Sequence, residues 1–144
     1  MFIGEYKHSV DDKGRMAIPA KFRKSLAGGV VVTRGIDPHL YIFPAEEWAK
    51  LADKIAKLSI TQANSRAFSR HMLGGASEAE IDSQGRILIP EYLRKHAGIS
   101  NQAVVIGLYD RVEIWSDERW HEHHAKIEQN SQQIAEQLGE LGTS

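Results

Sequence analysis

Two short segments of this chain set a carboxylate and a guanidinium four residues apart around a glycine: Asp11-Asp12-Lys13-Gly14-Arg15 and Asp82-Ser83-Gln84-Gly85-Arg86. Apolar residues flank each segment, and Asp at the first position with Gly at the fourth suits a type I turn closed by a left-handed glycine. Asp11 and Asp82 can brace the turns by accepting backbone N–H bonds, while Gly14 and Gly85 supply positive φ without a Cβ clash. Lys13 and Gln84 then lie at the tips, and Arg15 and Arg86 open the returning strands. A guanidinium on a rigid turn can pair bidentately with guanine O6 and N7 or grip a phosphate. Lys13 adds a point charge suited to phosphate. The competing reading is that each arginine merely pairs with its own aspartate across the turn.

The elements that must position these turns can be read from the surrounding residues. The returning strands, 16–18 and 87–89, run into Pro19 and Pro90, whose fixed φ suits a first helical turn. AKFRKSL and EYLRKHA are then short helices, the second stopped by Gly98. VVVTRG and QAVVIG are β-branched runs that predict strands, followed by strands at LYIF and VEIW. Trp48, Leu51, Ile55 and Leu58 fall on one helical face after Pro44, and a second helix is expected over 62–72, ended by Gly74 and Gly75. Ser116 can cap a C-terminal helix on which Trp120, Ile127, Ile134 and Leu141 recur every seven residues, interrupted by His124 and Ser131. That stripe is expected to pack on the sheet or on a neighbour, and fraying is expected beyond Gly139.

The chain also resembles itself. Val10 to Lys24 aligns without gaps on Ile81 to Lys95 at an offset of 71, with Asp11, Gly14, Arg15, Ile18, Pro19, Arg23 and Lys24 identical to their counterparts. A one-residue insertion then matches Gly35 to Gly107, Ile42 to Ile114 and Trp48 to Trp120. The period is too long for a stacking array, so it marks a duplicated unit. Each copy would be marginal alone, and the two are expected to interlock about a pseudo-two-fold axis as units 1–71 and 72–144.

The net charge of −1 conceals a division between the halves. Residues 1–71 hold 12 Lys and Arg against 7 Asp and Glu, a balance of +5, while residues 72–144 hold 6 against 12, a balance of −6. Such polarity suits a polyanion on one face, or subunits meeting through opposite charges. Lys21, Arg23, Lys24, Arg94 and Lys95 add charge after the prolines, although their repetition is equally explained by a shared fold contact. With no cysteine, disulfides, thiol catalysis and Cys-based zinc sites are excluded. No apolar run approaches a membrane span and the first residues do not form a secretory signal, so a cytoplasmic protein is expected.

Nothing in the sequence asks for an enzyme. No nucleophile elbow, phosphate loop or dinucleotide fingerprint occurs. Glu46 and Glu47 sit at a helix start, where the dipole accounts for them. His121-Glu122-His123-His124 suggests metal, but the zincin spacing needs a histidine where Ala125 stands, and a solvated or interface helix face is the reading preferred. No metal, cofactor or small-molecule substrate is expected.

The paired DxxGR turns, the Ile-Pro-x-x-x-Arg continuation of each and the opening MFIGEYKHSVDDKGR resemble the MraZ family over about residues 1–138. The halves of that family are similar to AbrB-type swapped-hairpin domains. The resemblance implies an α+β fold with a mainly β core, two tandem AbrB-like half-domains forming one pseudo-two-fold β-barrel with peripheral helices. It further implies a nucleoid-associated DNA-binding repressor of its own operon, the division and cell-wall cluster. Such a protein binds short promoter repeats in double-stranded DNA as a ring-shaped homo-oligomer. The DNA contacts would fall to Lys13, Arg15, Gln84 and Arg86. Gln84 departs from the basic tip of the first copy. An antitoxin-like repressor and a purely structural ring protein are the alternatives.

Overall fold

The computed structural model describes residues 1–140, the last by its backbone alone. Each copy of the repeat contributes two strands, a short helix, two strands and a longer helix, and the first copy adds one further helix. The first gives β1 (Phe2–Ser9), β2 (Arg15–Ala17), α1 (Ala20–Arg23), β3 (Val30–Arg34), β4 (Leu40–Pro44), α2 (Ala45–Ala56) and α3 (Ala63–Met72). The second gives β5 (Ser77–Ala79), β6 (Arg86–Leu88), α4 (Glu91–Ala97), β7 (Gln102–Tyr109), β8 (Val112–Ser116) and α5 (Asp117–Glu140).

The copies do not fold side by side. One antiparallel sheet runs β1-β7-β8-β4-β3-β5, and a separate ribbon pairs β2 with β6. The order is a palindrome under exchange of the copies: β1 of the first lies on β7 of the second, and β5 of the second lies on β3 of the first. Neither copy can therefore complete its sheet without the other, as its marginal size requires. The core lies between the inner face of the large sheet and the ribbon with α1 and α4. It joins Val32, Ile42, Val105 and Ile114 to Met16, Ile87, Phe22 and Leu93, all at most 3% exposed.

The fold class is the expected one, with four qualifications. Among the described residues no ladder joins β1 to β5, so hydrogen bonding leaves the large sheet open where a closed barrel was expected. The ladders also move the repeat register. Val31 pairs with Phe43 and Glu78, and Val104 with Trp115 and Lys7, so β3 and β7 correspond at an offset of 73, and Gly35 matches Leu108 instead of Gly107. The cause is hairpin length: residues 35–39 join β3 to β4, whereas only 110 and 111 join β7 to β8. The first helix ends at Arg23, and α2 ends before Leu58, which is 40% exposed. Finally, α5 packs on the sheet only near its start. Trp120 joins the cluster of Val104, Ile106 and Trp115, while Ile127 and Ile134 are 39% and 41% exposed. Leu141, the next residue of that stripe, lies outside the described residues.

Candidate nucleic-acid interface

The two DxxGR turns are closed by the same bonds. Asp11 Oδ1 accepts the backbone N–H of Lys13 at 3.0 Å and of Arg15 at 2.9 Å, and Gly14 N–H donates to Asp11 O at 2.9 Å. Asp82 Oδ1 accepts from Gln84 and Arg86 at 2.9 Å each, and Gly85 N–H donates to Asp82 O at 3.0 Å. Gly14 and Gly85 have φ of 86° and 78°, the left-handed region that a side chain makes costly. The bonds from the Arg15 and Arg86 backbones, followed by those from their guanidinia, hold both aspartates below the usual carboxylate range.

Each arginine is aimed by its aspartate. Arg15 Nε donates to Asp11 Oδ2 at 2.7 Å and Arg86 Nε to Asp82 Oδ2 at 3.0 Å. The pairing read from sequence as the alternative to a ligand contact is thus present, and it engages only the Nε edge. The Nη edge, which a bidentate guanine contact would use, makes no hydrogen bond among the described residues.

The fold brings the turns together. In the ribbon Arg15 lies opposite Leu88, Met16 opposite Ile87 and Ala17 opposite Arg86. Alternation turns Met16 and Ile87 into the core and puts both arginines, Ala17 and Leu88 on the other face, Leu88 being 54% exposed. The copies are locked at this point. Ile18 N–H donates to Gly85 O at 2.9 Å, and Ile89 N–H to Gly14 O at 2.8 Å. Asp11 Oδ2 also lies 4.0 Å from Arg86 Nη1, so one carboxylate touches both arginines.

The flanking basic residues divide into two kinds. Arg23 Nε donates to Ile18 O at 3.0 Å and Arg94 Nε to Ile89 O at 2.9 Å. A Cβ added to Gly85 would collide with the Arg23 guanidinium, and one on Gly14 would lie 2.7 Å from Arg94 Nε. These two arginines therefore clamp the opposite copy's turn and serve the fold; their identity at the 71-residue offset was visible in the sequence, but not their partners. Burial and then the Arg23 charge hold His8 below its ordinary value. Lys21, Lys24 and Lys95 make no hydrogen bond or ion pair among the described residues and remain as exposed charge.

The histidines of α5 have other partners. His124 stacks on Trp120 at 5.2 Å and lies 3.5 Å from Glu128, while His121 lies 3.5 Å from Asp117. Sequence reasoning passed over His39. It is fully buried, stacked on Trp115 at 4.9 Å, with Nε2 3.5 Å from Glu113 Oε2.

A family model described as "MraZ protein, putative antitoxin-like" matches this chain twice, over residues 1–71 and 72–140. The chain belongs to the MraZ family. Its relatives include the transcriptional regulator MraZ of Clostridium tetani, 50% identical over 143 residues and 99% of each chain. Those of Natranaerobius thermophilus and Heliobacterium modesticaldum are 47% and 46% identical over 138 residues, 96% of each chain. All three MraZ relatives carry the name of a regulator and not of an enzyme. Among the described residues no helix is long and apolar enough to cross a membrane.

Proposed function

We propose that this chain is a sequence-specific DNA-binding transcriptional regulator, acting as a repressor of its own operon, the division and cell-wall cluster. The observation that carries the reading is the β2–β6 ribbon, whose outward face presents two arginines oriented by carboxylates and whose inward face is anchored in the core. A two-stranded ribbon fits the major groove, and a guanidinium held at Nε offers its remaining edge to guanine. The names of the relatives support regulation of transcription. Lys13 and Gln84, at the tips, lie beside the phosphates in this reading, with Arg15 and Arg86 on base edges.

Several ribbons acting together explain how a small interface reads short promoter repeats. A ring-shaped homo-oligomer would set its turns along one rim and gain affinity by engaging neighbouring repeats of double-stranded DNA at once. The basic first half and acidic second half suit head-to-tail contact between copies. Such a regulator works on the chromosome, in the nucleoid. Gel retardation of the chain's own promoter fragment at two salt concentrations tests the reading: binding is expected to weaken steeply with salt and to exceed that of a shuffled fragment. Absence of binding at low salt would leave the ribbon without this role.

A further inference from the structure

The outer face of the large sheet carries one arrangement twice, and the two versions end differently. Beside α5, Trp120 donates its indole N–H to Glu5 Oε1 at 2.8 Å, and Lys7 Nζ lies 3.3 Å from Asp117 Oδ1. These bonds fasten the edge strand β1 to the helix. The ladders and helix starts make Trp48, Ala76, Glu78 and Ala45 the counterparts of Trp120, Glu5, Lys7 and Asp117. The carboxylate that received the indole N–H has become Ala76, and the Lys7–Asp117 pair has become Glu78 and Ala45.

The strands diverge here too. β1 continues to Ser9 opposite Gln102, with Val10 N–H donating to Asn101 O at 3.0 Å, but β5 leaves β3 after Ala79. A groove of about 670 Å³ opens at that point, lined by Gly28, Gly29, Trp48, Glu78, Ala79 and Glu80 among others. Neither carboxylate has a partner among the described residues, and the Trp48 indole N–H donates to nothing there. The apolar floor and two free carboxylates call for an occupant that is apolar and cationic.

The far end of α2 offers that combination. Its twelve residues put that end roughly 18 Å along the axis. In the corner between α2 and α3, Ile60 is 80% exposed and Leu58 40%. The corner is held in shape by Arg66 Nη1, which donates to Ile60 O at 3.0 Å, and by Thr61 N–H on Ser59 Oγ at 3.3 Å. Arg70 follows Arg66 by one helical turn, and among the described residues its side chain has no partner.

The geometry points to a contact between copies in which this corner of one chain seats in the Trp48–Ala79 groove of a second, Ile60 against the indole and Arg66 and Arg70 against Glu78 and Glu80. The contact rests on the self-assembly reading and specifies where that assembly is made. It is heterologous, because each copy brings one corner and one groove at opposite ends of a helix, and repetition of such a contact closes a ring when the rotation per step allows.

Sedimentation velocity at micromolar concentration and low salt tests it, with circular dichroism checking the fold. Ile60→Glu, and separately Glu78→Lys with Glu80→Lys, should reduce the assembly to monomer. An equimolar mixture of the two should form a 1:1 dimer through the one intact corner and the one intact groove. Ile60→Ser, at a position already in water, should lower the association in the same direction and separates a weakened interface from a damaged fold. Lys7→Ala, in the closed counterpart, should leave the assembly size unchanged. Variants that assemble as the wild type does, or monomers that fail to pair when mixed, would overturn this contact while leaving self-assembly standing. A monomeric wild type would overturn self-assembly itself.

Discussion

The first turn and the second are made by the same bonds but sit in unequal surroundings. Arg15 meets one carboxylate, Asp11 at 2.7 Å, whereas Arg86 meets Asp82 at 3.0 Å and Asp11 at 4.0 Å. The tip residue is Lys13 in one and Gln84 in the other, and the cross-strand neighbour is Leu88 for Arg15 but Ala17 for Arg86. Duplication kept what closes each turn and let the outward charge drift. The first copy therefore carries the stronger free positive field, while both copies contribute equally to the backbone bonds and arginine clamps that hold the pair together.

The largest expected effect follows from that inequality. Arg15→Ala should weaken promoter binding by about 1–3 kcal/mol for each bidentate arginine–guanine pair it removes, multiplied where several copies engage repeated sites. Arg86→Ala should cost less at the same salt. Titration of a labelled promoter fragment with both variants measures the order, and equal effects would erase the distinction between the turns.

Stability should behave in the opposite way, treating the turns alike. Gly14→Ala and Gly85→Ala each force a side chain into positive φ and against the opposite copy's clamp arginine, Arg94 or Arg23. Each should destabilise the fold by about 1–3 kcal/mol in denaturant unfolding. A large effect at one glycine only would show that the lock is one-sided.

Smaller still is the effect of restoring symmetry at the tip. Gln84→Lys should raise affinity modestly and steepen the dependence of log K on log salt by about 0.9 if it adds one phosphate contact. An unchanged slope would place the second tip away from the backbone.

Acid should act weakly and on both turns. Asp11 and Asp82 are held below their ordinary value of 3.8, chiefly by the backbone N–H groups of Arg15 and Arg86. Below that value the unfolded chain binds more protons, so the turns' contribution is full above it and is lost as pH falls through the lower folded-state values. Asp11→Asn and Asp82→Asn should each flatten the acid limb of a pH–stability curve to a similar degree. A limb unaltered by either would mean that the turns carry no acid sensitivity.

The turns were legible because their signals are local. Asp at the first position and Gly at the fourth specify a bond pattern whatever lies elsewhere. The clamp by Arg23 and Arg94 was not, because each reaches a glycine in the other copy and only the swapped topology brings them together. Periodicity carried Leu58 into α2, but apolar spacing cannot see Ser59 and Thr61 closing a turn just beyond it. The same spacing gave α5 a stripe without showing that the sheet covers only its first turns. The contrast between Glu78 and Lys7 became meaningful only once the ladders fixed which residues correspond.

If the outward face of the ribbon reads DNA, its two arginines must carry the preference for the promoter repeats. The most direct test is the affinity of Arg15→Ala with Arg86→Ala, in one chain, for the promoter repeats and for a shuffled fragment of equal length. The wild type should prefer the repeats, and the double variant should bind both fragments equally and weakly while keeping its fold and assembly size. A folded double variant that retains the wild-type preference would mean that the ribbon arginines do not read the DNA.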